Sequence, residues 1–335
     1  MDPAAQKLHD EAIIIDAVCP LLAIKDKIND YKAGGLTMVA PTVGSLNTLG
    51  EAFREIGHWQ RLFRERDDLL PIHSVADIRR AKAEGKLGIL LHFQGTGPIE
   101  DSLDAIDAFK ALGVGVMQLT YNLKNRIGDG CEERTDSGLS RFGLQVIERM
   151  NAARVVVDCS HTGLQTTMDA LEHSTTPVVI SHANPRAVHP SPRNISDDLI
   201  KAVADQGGTI GIVGFPAFVS SEVRPTMDKF IDHIAHVADL VGIEHVSLGI
   251  DYFEGQSPYM RDDVAMAGYQ KLIDMNAWSP DSYPPPPYYY PEGIETPDKL
   301  ANLTVAMLAR GFTPEDIRKV YGENLLALYE TVWGA

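Results

Sequence analysis

Apolar, β-branched runs recur along this chain, and polar stretches of helical pattern separate them. We count eight such runs, at residues 13–16, 36–43, 87–94, 114–120, 154–160, 177–182, 209–215 and 245–251. Each run is almost continuously apolar instead of alternating, which is typical of strands that are covered on both faces. The pattern therefore predicts a parallel sheet.

The stretches between these runs predict helices, because apolar residues recur there at positions i, i+3 and i+4. The helical patterns cover 46–65, 102–112, 140–152, 164–173, 196–206 and 226–241. Eight β–α units in about 250 residues favour a closed (β/α)₈ TIM barrel over a doubly wound sheet. The chain has no glycine-rich phosphate motif and no internal boundary, so we expect residues 1–335 to form one α/β barrel domain.

Two segments lie outside this repeat. Residues 280–293, PDSYPPPPYYYPEG, combine proline-fixed backbone with aromatic bulk and predict a long loop. This loop is either a packed surface connection or a lid over the barrel mouth. Further on, Thr313 as N-cap, followed by Pro314 and two acidic residues, predicts a C-terminal helix over 313–333 that closes the fold.

The composition, 335 residues with 44% hydrophobic and 23% charged, is that of a globular protein. Thirty Lys and Arg against 46 Asp and Glu give a net charge of −16, which repels phosphate backbones and anionic lipid surfaces. We therefore expect neither nucleic acid nor a membrane as a partner. Three widely spaced cysteines argue against a disulfide framework, and no signal peptide or membrane span is found, so the expected location is the cytoplasm.

The working groups of a (β/α)₈ enzyme lie at the carboxyl ends of its strands. Two consecutive runs end in similar pairs, Ser160-His161 and Ser181-His182. Adjacent parallel strands are about 4.8 Å apart, so two imidazoles at their ends can bind one metal ion. A single buried histidine is more often a hydrogen-bonded core residue, but two at equivalent strand ends favour a metal site.

Other candidate groups belong to the same mouth. Asp251 ends the eighth run. Three roles are compatible with a carboxylate at this position: metal ligand, general base for a bound water, or helix-capping acid. Arg193 follows the sixth run, where its guanidinium can bind a substrate carboxylate bidentately. A further metal ligand is sought among His92, Gln94 and Cys19, although Gln94 is a weak ligand and Cys19 is equally explained as a small buried hydrophobe.

Five stretches together resemble the membrane dipeptidase family, peptidase family M19, within the amidohydrolase-like barrels. They are VVVDCSH at 155–161, VVISHANPRA at 178–187, HPSPRNISDDLIKAVADQGG at 189–208, SLGIDYFEG at 247–255, and 290–326, which opens with YPEGIETPDKL. The resemblance is spread along most of the chain. It implies a (β/α)₈ barrel that cleaves dipeptides with two bridged zinc ions.

The resemblance also assigns roles to individual residues. His161 and His182 match the two histidines that hold one of the zinc ions. Arg193 and Asn194 match a pair that contacts the substrate carboxylate. Asp251 matches an aspartate that assists proton transfer.

The other half of the family's metal site does not match this sequence. Val18 and Pro20 stand where the family has the histidine and the aspartate that hold the other zinc ion. Gln94 replaces the bridging glutamate, and a neutral amide cannot bridge two dications as a carboxylate does. Tyr121 replaces a histidine that helps to bind the substrate, and its phenol remains a hydrogen-bond donor. We therefore expect one divalent metal ion, zinc by resemblance, with Gln94 joining the two histidines as a candidate ligand and the second site lost.

Three functions are compatible with these residues. The first is a one-metal hydrolase of a dipeptide-like or N-acyl amino acid substrate, in which Arg193 holds the carboxylate and Asp251 manages the proton. The second is a different enzyme on the same barrel that moves protons on a small carboxylate or amine with Asp251 and Tyr121, with weak metal or none. The third is a non-catalytic protein that binds a small carboxylate. By analogy with the family, the chain can pair as a homodimer.

Overall fold

Short parallel strands build the centre of this protein, in a computed structural model that describes residues 2–334. The strands are β1 Ile15–Asp16, β2 Met38–Val39, β3 Thr42–Gly44, β4 Leu69–Pro71, β5 Leu87–Ile89, β6 Leu91–Phe93, β7 Val114–Gln118, β8 Val156–Asp158, β9 Val179–Ile180, β10 Thr209–Ile212 and β11 Val246–Leu248. Every pairing between these strands is parallel. The prediction of a parallel sheet is confirmed.

The strands close into a barrel. They form one sheet of order β1-β2-β5-β4 and another of order β11-β10-β9-β8-β7-β6-β3. The sheets meet where two predicted runs are each split, 36–43 into β2 and β3 and 87–94 into β5 and β6. The ring closes because the amide of Ala17, after β1, donates to Leu248 O of β11 at 3.0 Å. The predicted (β/α)₈ barrel is therefore confirmed.

Proline accounts for details of the strands that apolar runs alone do not predict. Pro41 separates β2 from β3 because it has no N–H to give to the ladder, although its carbonyl accepts from His92 N at 3.1 Å. Strand β4 was not predicted from its short run. It pairs only with β5 at the edge of its sheet and ends on Pro71.

Helices surround the barrel, and the six predicted from periodicity are present with their ends shifted by at most three residues. The helices are α1 Pro3–Glu11, α2 Ile28–Ala33, α3 Leu49–Glu65, α4 Val75–Glu84, α5 Asp104–Ala111, α6 Arg141–Ala152, α7 Leu164–His173, α8 Asp197–Asp205, α9 Pro216–Val219, α10 Met227–Val241, α11 Asp262–Asp274, α12 Ala301–Ala309, α13 Pro314–Arg318 and α14 Asn324–Trp333. None of them is long and apolar enough to cross a bilayer, in the part of the chain that the structure describes.

The C-terminal helix predicted over 313–333 is present but interrupted. A π-helical turn, Lys319–Glu323, separates α13 from α14. Gly322 lies in this turn because a Cβ there would come within 2.5 Å of Ile13 O. The predicted start is confirmed, since Thr313 Oγ1 accepts from Asp316 N at 3.1 Å in a capping box.

Helix α14 covers the amino-terminal end of the barrel. Asn324 Nδ2 donates to Val246 O at 2.7 Å, at the start of β11, and Arg154 Nη1, just before β8, donates to Trp333 O at 3.0 Å. One face of α14 is buried in a cluster with inward-facing strand residues such as Val116. The opposite end of the barrel, where the strands finish, is left for the candidate site.

Residues 280–293 contain no helix or strand and pack over that opposite end. Tyr283, Tyr288 and Tyr290 of this segment are almost completely buried. They surround Phe215, which follows β10, with ring centroids 4.9 to 6.3 Å from it. The predicted loop therefore covers the barrel mouth with aromatic side chains.

The helix that covers the barrel base provides a test of this packing. Trp333 is 6% exposed and stacks on Tyr329 at 4.4 Å. Because truncation leaves a large cavity, Trp333→Ala is expected to lower the free energy of unfolding by about 3–5 kcal/mol in urea denaturation. Phe53→Ala, at a 58% exposed aromatic residue, is the control and should change it by less than about 0.5 kcal/mol. A loss below about 1 kcal/mol in Trp333→Ala would contradict the packing of α14 described above.

Candidate active site

The structure brings the two candidate metal histidines together at the barrel mouth. His161 follows β8, His182 follows β9, and both side chains are buried. Their Nε2 atoms are 2.7 Å apart, and their ring centroids are 4.8 Å apart. Consecutive strand ends thus place both imidazoles at one point.

An asparagine sets the tautomer of the first imidazole. Asn122 Nδ2 donates to Ala277 O at 2.9 Å, so Asn122 Oδ1 faces His161 and lies 2.6 Å from its Nδ1. An amide oxygen only accepts hydrogen bonds. The proton of neutral His161 is therefore on Nδ1, and its Nε2 carries a lone pair.

A serine sets the tautomer of the second imidazole in the same way. The Ser181 hydroxyl donates to Asp158 Oδ2 at 2.6 Å, which leaves the serine oxygen to accept from His182 Nδ1 at 2.7 Å. His182 Nε2 therefore also carries a lone pair. Hydrogen bonds of this kind on the outer nitrogen are what metal-binding histidines usually make.

Two lone pairs thus converge between these rings. Burial, and after it the charge of Arg193, holds the pKa of both His161 and His182 well below the ordinary histidine value, so both are neutral at neutral pH. Unprotonated nitrogens 2.7 Å apart repel each other. A cation shared by the two nitrogens removes this repulsion, and imidazole nitrogen is a common ligand of zinc.

Asp158, the last residue of β8, fixes the strand ends that carry the two imidazoles. Its carboxylate accepts from Ser160 N at 2.9 Å, Ser160 Oγ at 2.8 Å and Ser181 N at 3.1 Å, besides the Ser181 hydroxyl. His92 Nε2 lies 3.2 Å from its Oδ2. Burial alone raises the pKa of Asp158, but hydrogen bonds and charge interactions, those with His92 foremost and the Ser181 hydroxyl among them, outweigh it and hold the pKa at about 2. The carboxylate therefore stays ionised and ties the ends of β8 and β9 together.

Asp251 lies across the mouth, after β11. Its Oδ1 is 3.4 Å from Gln94 Nε2, and the Tyr290 hydroxyl donates to its backbone carbonyl. Burial raises the pKa of Asp251 well above its ordinary value, and the opposing charge of Arg193 does not cancel this shift. The carboxyl group is therefore poised to hold a proton.

Three residues of the mouth have left-handed backbone conformations, which residues other than glycine rarely adopt. These are Asn122 at φ 56°, His161 at φ 58° and Asp251 at φ 60°. Such conformations cost about 1 kcal/mol or more each and cluster at functional sites. The fold thus maintains unfavourable backbone conformations where the candidate chemistry is.

Arg193 brings an unpaired positive charge into the interior. It is only 3% exposed and makes no ion pair within residues 2–334. Its Nε donates to the Tyr283 hydroxyl at 3.1 Å and its Nη1 to Cys131 Sγ at 3.8 Å, while Nη2 has no partner. A buried guanidinium without a counter-ion is costly, so this position favours an anionic ligand.

Asn194 is turned partly toward the backbone. Its Nδ2 donates to His189 O at 2.8 Å and to Phe218 O at 2.9 Å. These two carbonyls fix the orientation of the amide, and its Oδ1, which is buried, has no partner. The free atom of Asn194 is thus an acceptor, which binds an N–H group and not a carboxylate.

Tyr121 is part of an aromatic cover. Its ring stacks on His161 at 4.3 Å, and its hydroxyl accepts from Trp278 Nε1 at 2.8 Å. Trp278 in turn stacks on Tyr283 at 4.3 Å with an interplanar angle of 7°. Burial raises the pKa of Tyr121 above its ordinary value, so its phenol is neutral and can donate a hydrogen bond.

The remaining candidate ligands lie elsewhere or have other contacts. His92 uses Nε2 on Asp158, Cys19 contacts the carbonyl of Asp16 at 3.6 Å, and Gln94 contacts Asp251. Within residues 2–334, no three His, Cys, Asp or Glu residues form a group that could hold a metal ion. The donor set thus fits one cation held by two imidazole nitrogens, with its other ligands supplied by water or substrate. The side chains of Val18 and Pro20 carry no donor atom for a metal ion.

Sequence reasoning missed four residues of the site: Asn122, Asp158, Trp278 and Tyr283. One signal was available, since Asp158 stands in the VVVDCSH stretch and a buried aspartate on a strand needs partners. Tyr283 belongs to the aromatic segment 280–293, and Trp278 lies two residues before that segment. Nothing in the local sequence distinguishes Asn122 from an ordinary turn residue.

A cavity of about 270 Å³ adjoins the site on one flank. It lies between the loop after β7, the ends of β8 and β9, and the first turns of α7 and α8. His161, Cys131, Arg193 and Asn194 are among its lining residues. The cavity therefore reaches both the His161 imidazole and the unpaired guanidinium of Arg193.

Comparisons with known proteins identify the family. The model of the membrane dipeptidase family, peptidase family M19, matches residues 5–275. A protein from the pqqA 5′ region of Klebsiella pneumoniae is 31% identical over 211 residues, which cover 60% of this chain and 77% of its own. Dipeptidase tcpJ of Claviceps purpurea (strain 20.1) is 26% identical over 289 residues, 85% of this chain but only 60% of its own.

The solved structures agree with this assignment. An amidohydrolase from Pseudomonas aeruginosa superposes with a TM-score of 0.88, at 32% identity, over 99% of each chain. The resemblance found in the sequence motifs is thereby confirmed. The chain belongs to the membrane dipeptidase family, peptidase family M19, a family of hydrolases.

Proposed function

We propose that this protein is a metal-dependent hydrolase that cleaves the amide bond of a dipeptide-like or N-acyl amino acid substrate with a free carboxylate, and that it uses one metal ion. The observation that carries the proposal is the unpaired, 3% exposed Arg193 next to the converging nitrogens of His161 and His182. The Arg193 guanidinium binds an anion, and the two imidazole nitrogens bind a cation. A substrate with an amide near a free carboxylate can place its carboxylate on Arg193 and its amide carbonyl at the bound cation.

Arg193 binds the substrate carboxylate in this proposal. Tyr283 and Cys131 hold two of its nitrogens, so the guanidinium cannot turn away, and Nη2 remains for the ligand. A charge-assisted hydrogen bond is stronger in this buried environment than in water. The bound carboxylate also compensates the buried charge of the arginine.

His161 and His182 would hold the metal ion, through Nε2 in both cases. When bound there, a divalent metal supplies a Lewis acid for the substrate carbonyl and lowers the pKa of a bound water. The acceptors on Nδ1, Asn122 and Ser181, keep both Nε2 atoms unprotonated for this task. The lost ligands at positions 18, 20 and 94 restrict the site to this one ion.

Asp251 transfers the proton that hydrolysis requires. Hydrolysis adds water across the C–N bond: the water oxygen joins the carbonyl carbon, and the leaving nitrogen needs a proton. Asp251 holds a proton because its pKa is raised, and it gives this proton to the nitrogen and regains one from the attacking water. Tyr121, neutral and able to donate, stabilises the negative charge that develops on the carbonyl oxygen.

Pairs of substrates that differ only at the carboxylate test this assignment. The wild-type protein is expected to hydrolyse a free dipeptide or N-acyl amino acid with a kcat/KM about 10- to 100-fold above that of the carboxamide analogue, as one charge-assisted hydrogen bond predicts. In Arg193→Gln this ratio should fall to about 1, because the cation that distinguishes the two substrates is gone. The measurement is steady-state hydrolysis of both substrates by both proteins.

Arg134→Gln is the matched control, since Arg134 is an exposed arginine in the loop after β7. This variant should keep the wild-type ratio. An Arg193→Gln protein that still prefers the free acid would contradict the role of Arg193. Turnover that persists without His161 and His182 but stops in Asp251→Asn would favour proton-transfer chemistry without metal.

The rate is expected to depend on pH through Asp251. Because the acid form is the active one, kcat should fall as pH rises through the raised pKa of Asp251, and the protein should work best below that value. Asp251→Asn should abolish turnover while the substrate carboxylate still binds at Arg193. Single-turnover rates across a pH series check both statements, and a rate that increases with pH over this range would identify Asp251 as a base instead.

Restoring the family's ligands tests the loss of the second metal ion. The variant Val18→His/Pro20→Asp/Gln94→Glu is expected to bind one more zinc ion per chain than its parent after dialysis against zinc. Val18→Ile/Pro20→Ala/Gln94→Asn is the control and should not. If the folded triple variant takes up no extra metal, these three positions do not correspond to the family's ligands.

A further inference from the structure

The cavity beside His161 has two kinds of wall. Its inner part includes the buried apolar residues Cys159, Ile180, Ala183 and Leu199. These side chains lie between β8 and β9 and the helices α7 and α8 that cover them, in the main hydrophobic core. An apolar group placed there would replace empty space with core contacts.

Two charged residues at the rim, Asp136 and Arg186, make hydrogen bonds within the protein. Asp136 accepts from Gly138 N and Thr166 N at 3.2 Å, which caps the start of α7. Arg186 Nε donates to Asn194 O at 2.9 Å and its Nη2 to Pro192 O at 3.2 Å. Among the buried polar atoms of the lining, those without a partner are Arg193 Nη2 and Asn194 Oδ1, which belong to the wall nearest the site.

The aromatic cover directs the substrate toward this flank. Trp278 is hydrogen-bonded to Tyr121, and Tyr283 to Arg193, so the segment above the mouth is joined to the site itself. Phe215, packed beneath Trp278 and Tyr283, is also buried. A side chain that leaves the carbon next to the bound carboxylate finds space on the flank and not above the mouth.

We infer that the flank cavity is the subsite for the side chain of the substrate's carboxyl-terminal residue, and that it selects aliphatic side chains of about the size of leucine. The inference rests on the proposed function, because it takes the substrate carboxylate to be bound at Arg193. Asn194 Oδ1 accepts the N–H of that same residue. The cavity of about 270 Å³ has room for a side chain of this size.

Filling the cavity with a larger side chain should remove the preference for Ala-Leu without abolishing peptide hydrolysis. With the peptides Ala-Gly, Ala-Leu and Ala-Glu, the wild-type kcat/KM is expected to be at least about 10-fold higher for Ala-Leu than for the other two. Ala183→Leu, on the inner wall, should lower kcat/KM for Ala-Leu about 10-fold or more and change it for Ala-Gly less than about 3-fold.

A second variant tests the subsite independently, in case Ala183→Leu does not fold. Leu164 lines the cavity at the start of α7 but is 56% exposed, so Leu164→Trp is compatible with the fold and should also reduce hydrolysis of Ala-Leu selectively. Met168→Trp is the matched control on the same helix, 40% exposed and outside this cavity, and should leave all three rates unchanged.

The outcomes separate the subsite from the proposed function. In one outcome, the wild-type protein hydrolyses Ala-Gly and Ala-Leu, and both filling variants change the two rates equally or not at all. This result would overturn the subsite assignment but would leave the proposed hydrolase function intact. A wild-type preference for Ala-Glu would equally overturn the aliphatic assignment. If no peptide and no N-acyl amino acid is hydrolysed, the proposed function itself fails.

Discussion

The geometry of this site depends on one buried carboxylate. Asp158 accepts hydrogen bonds from the backbone and the hydroxyl groups of Ser160 and Ser181, and it lies against His92. These contacts join two adjacent strand ends that have only one ladder position in common. They also direct the proton of His182 to Nδ1 through Ser181. Without an ionised group at Asp158, neither the spacing of the two imidazoles nor the tautomer of His182 would be fixed.

The mouth built on this carboxylate keeps several unfavourable features together. Two imidazole lone pairs converge, the guanidinium of Arg193 has no counter-ion, and Asn122, His161 and Asp251 have left-handed backbones. Each of these features opposes folding, and each becomes favourable or useful when a cation and a carboxylate are bound. The barrel base, closed by α14, and the aromatic cover supply the packing that offsets them.

The sequence predicted the barrel and the positions of its strand ends well, because apolar runs and helical periodicity repeat along the chain. His161 and His182 could be paired from sequence since consecutive parallel strands end side by side. Asn122, Trp278 and Tyr283 could not, because irregular segments more than 150 residues apart bring them together. The position of β4, in a run of three residues, and the π turn before α14 depend on tertiary contacts that no local pattern encodes.

The chain belongs to a dipeptidase family, and we propose that it holds one metal ion, at His161 and His182. Elemental analysis of protein purified without added metal or chelator tests this proposal, with the His161→Ala/His182→Ala variant as the control. We expect about one equivalent of a divalent metal per chain, lost in the double variant. Two equivalents, none, or metal that the double variant retains would contradict it.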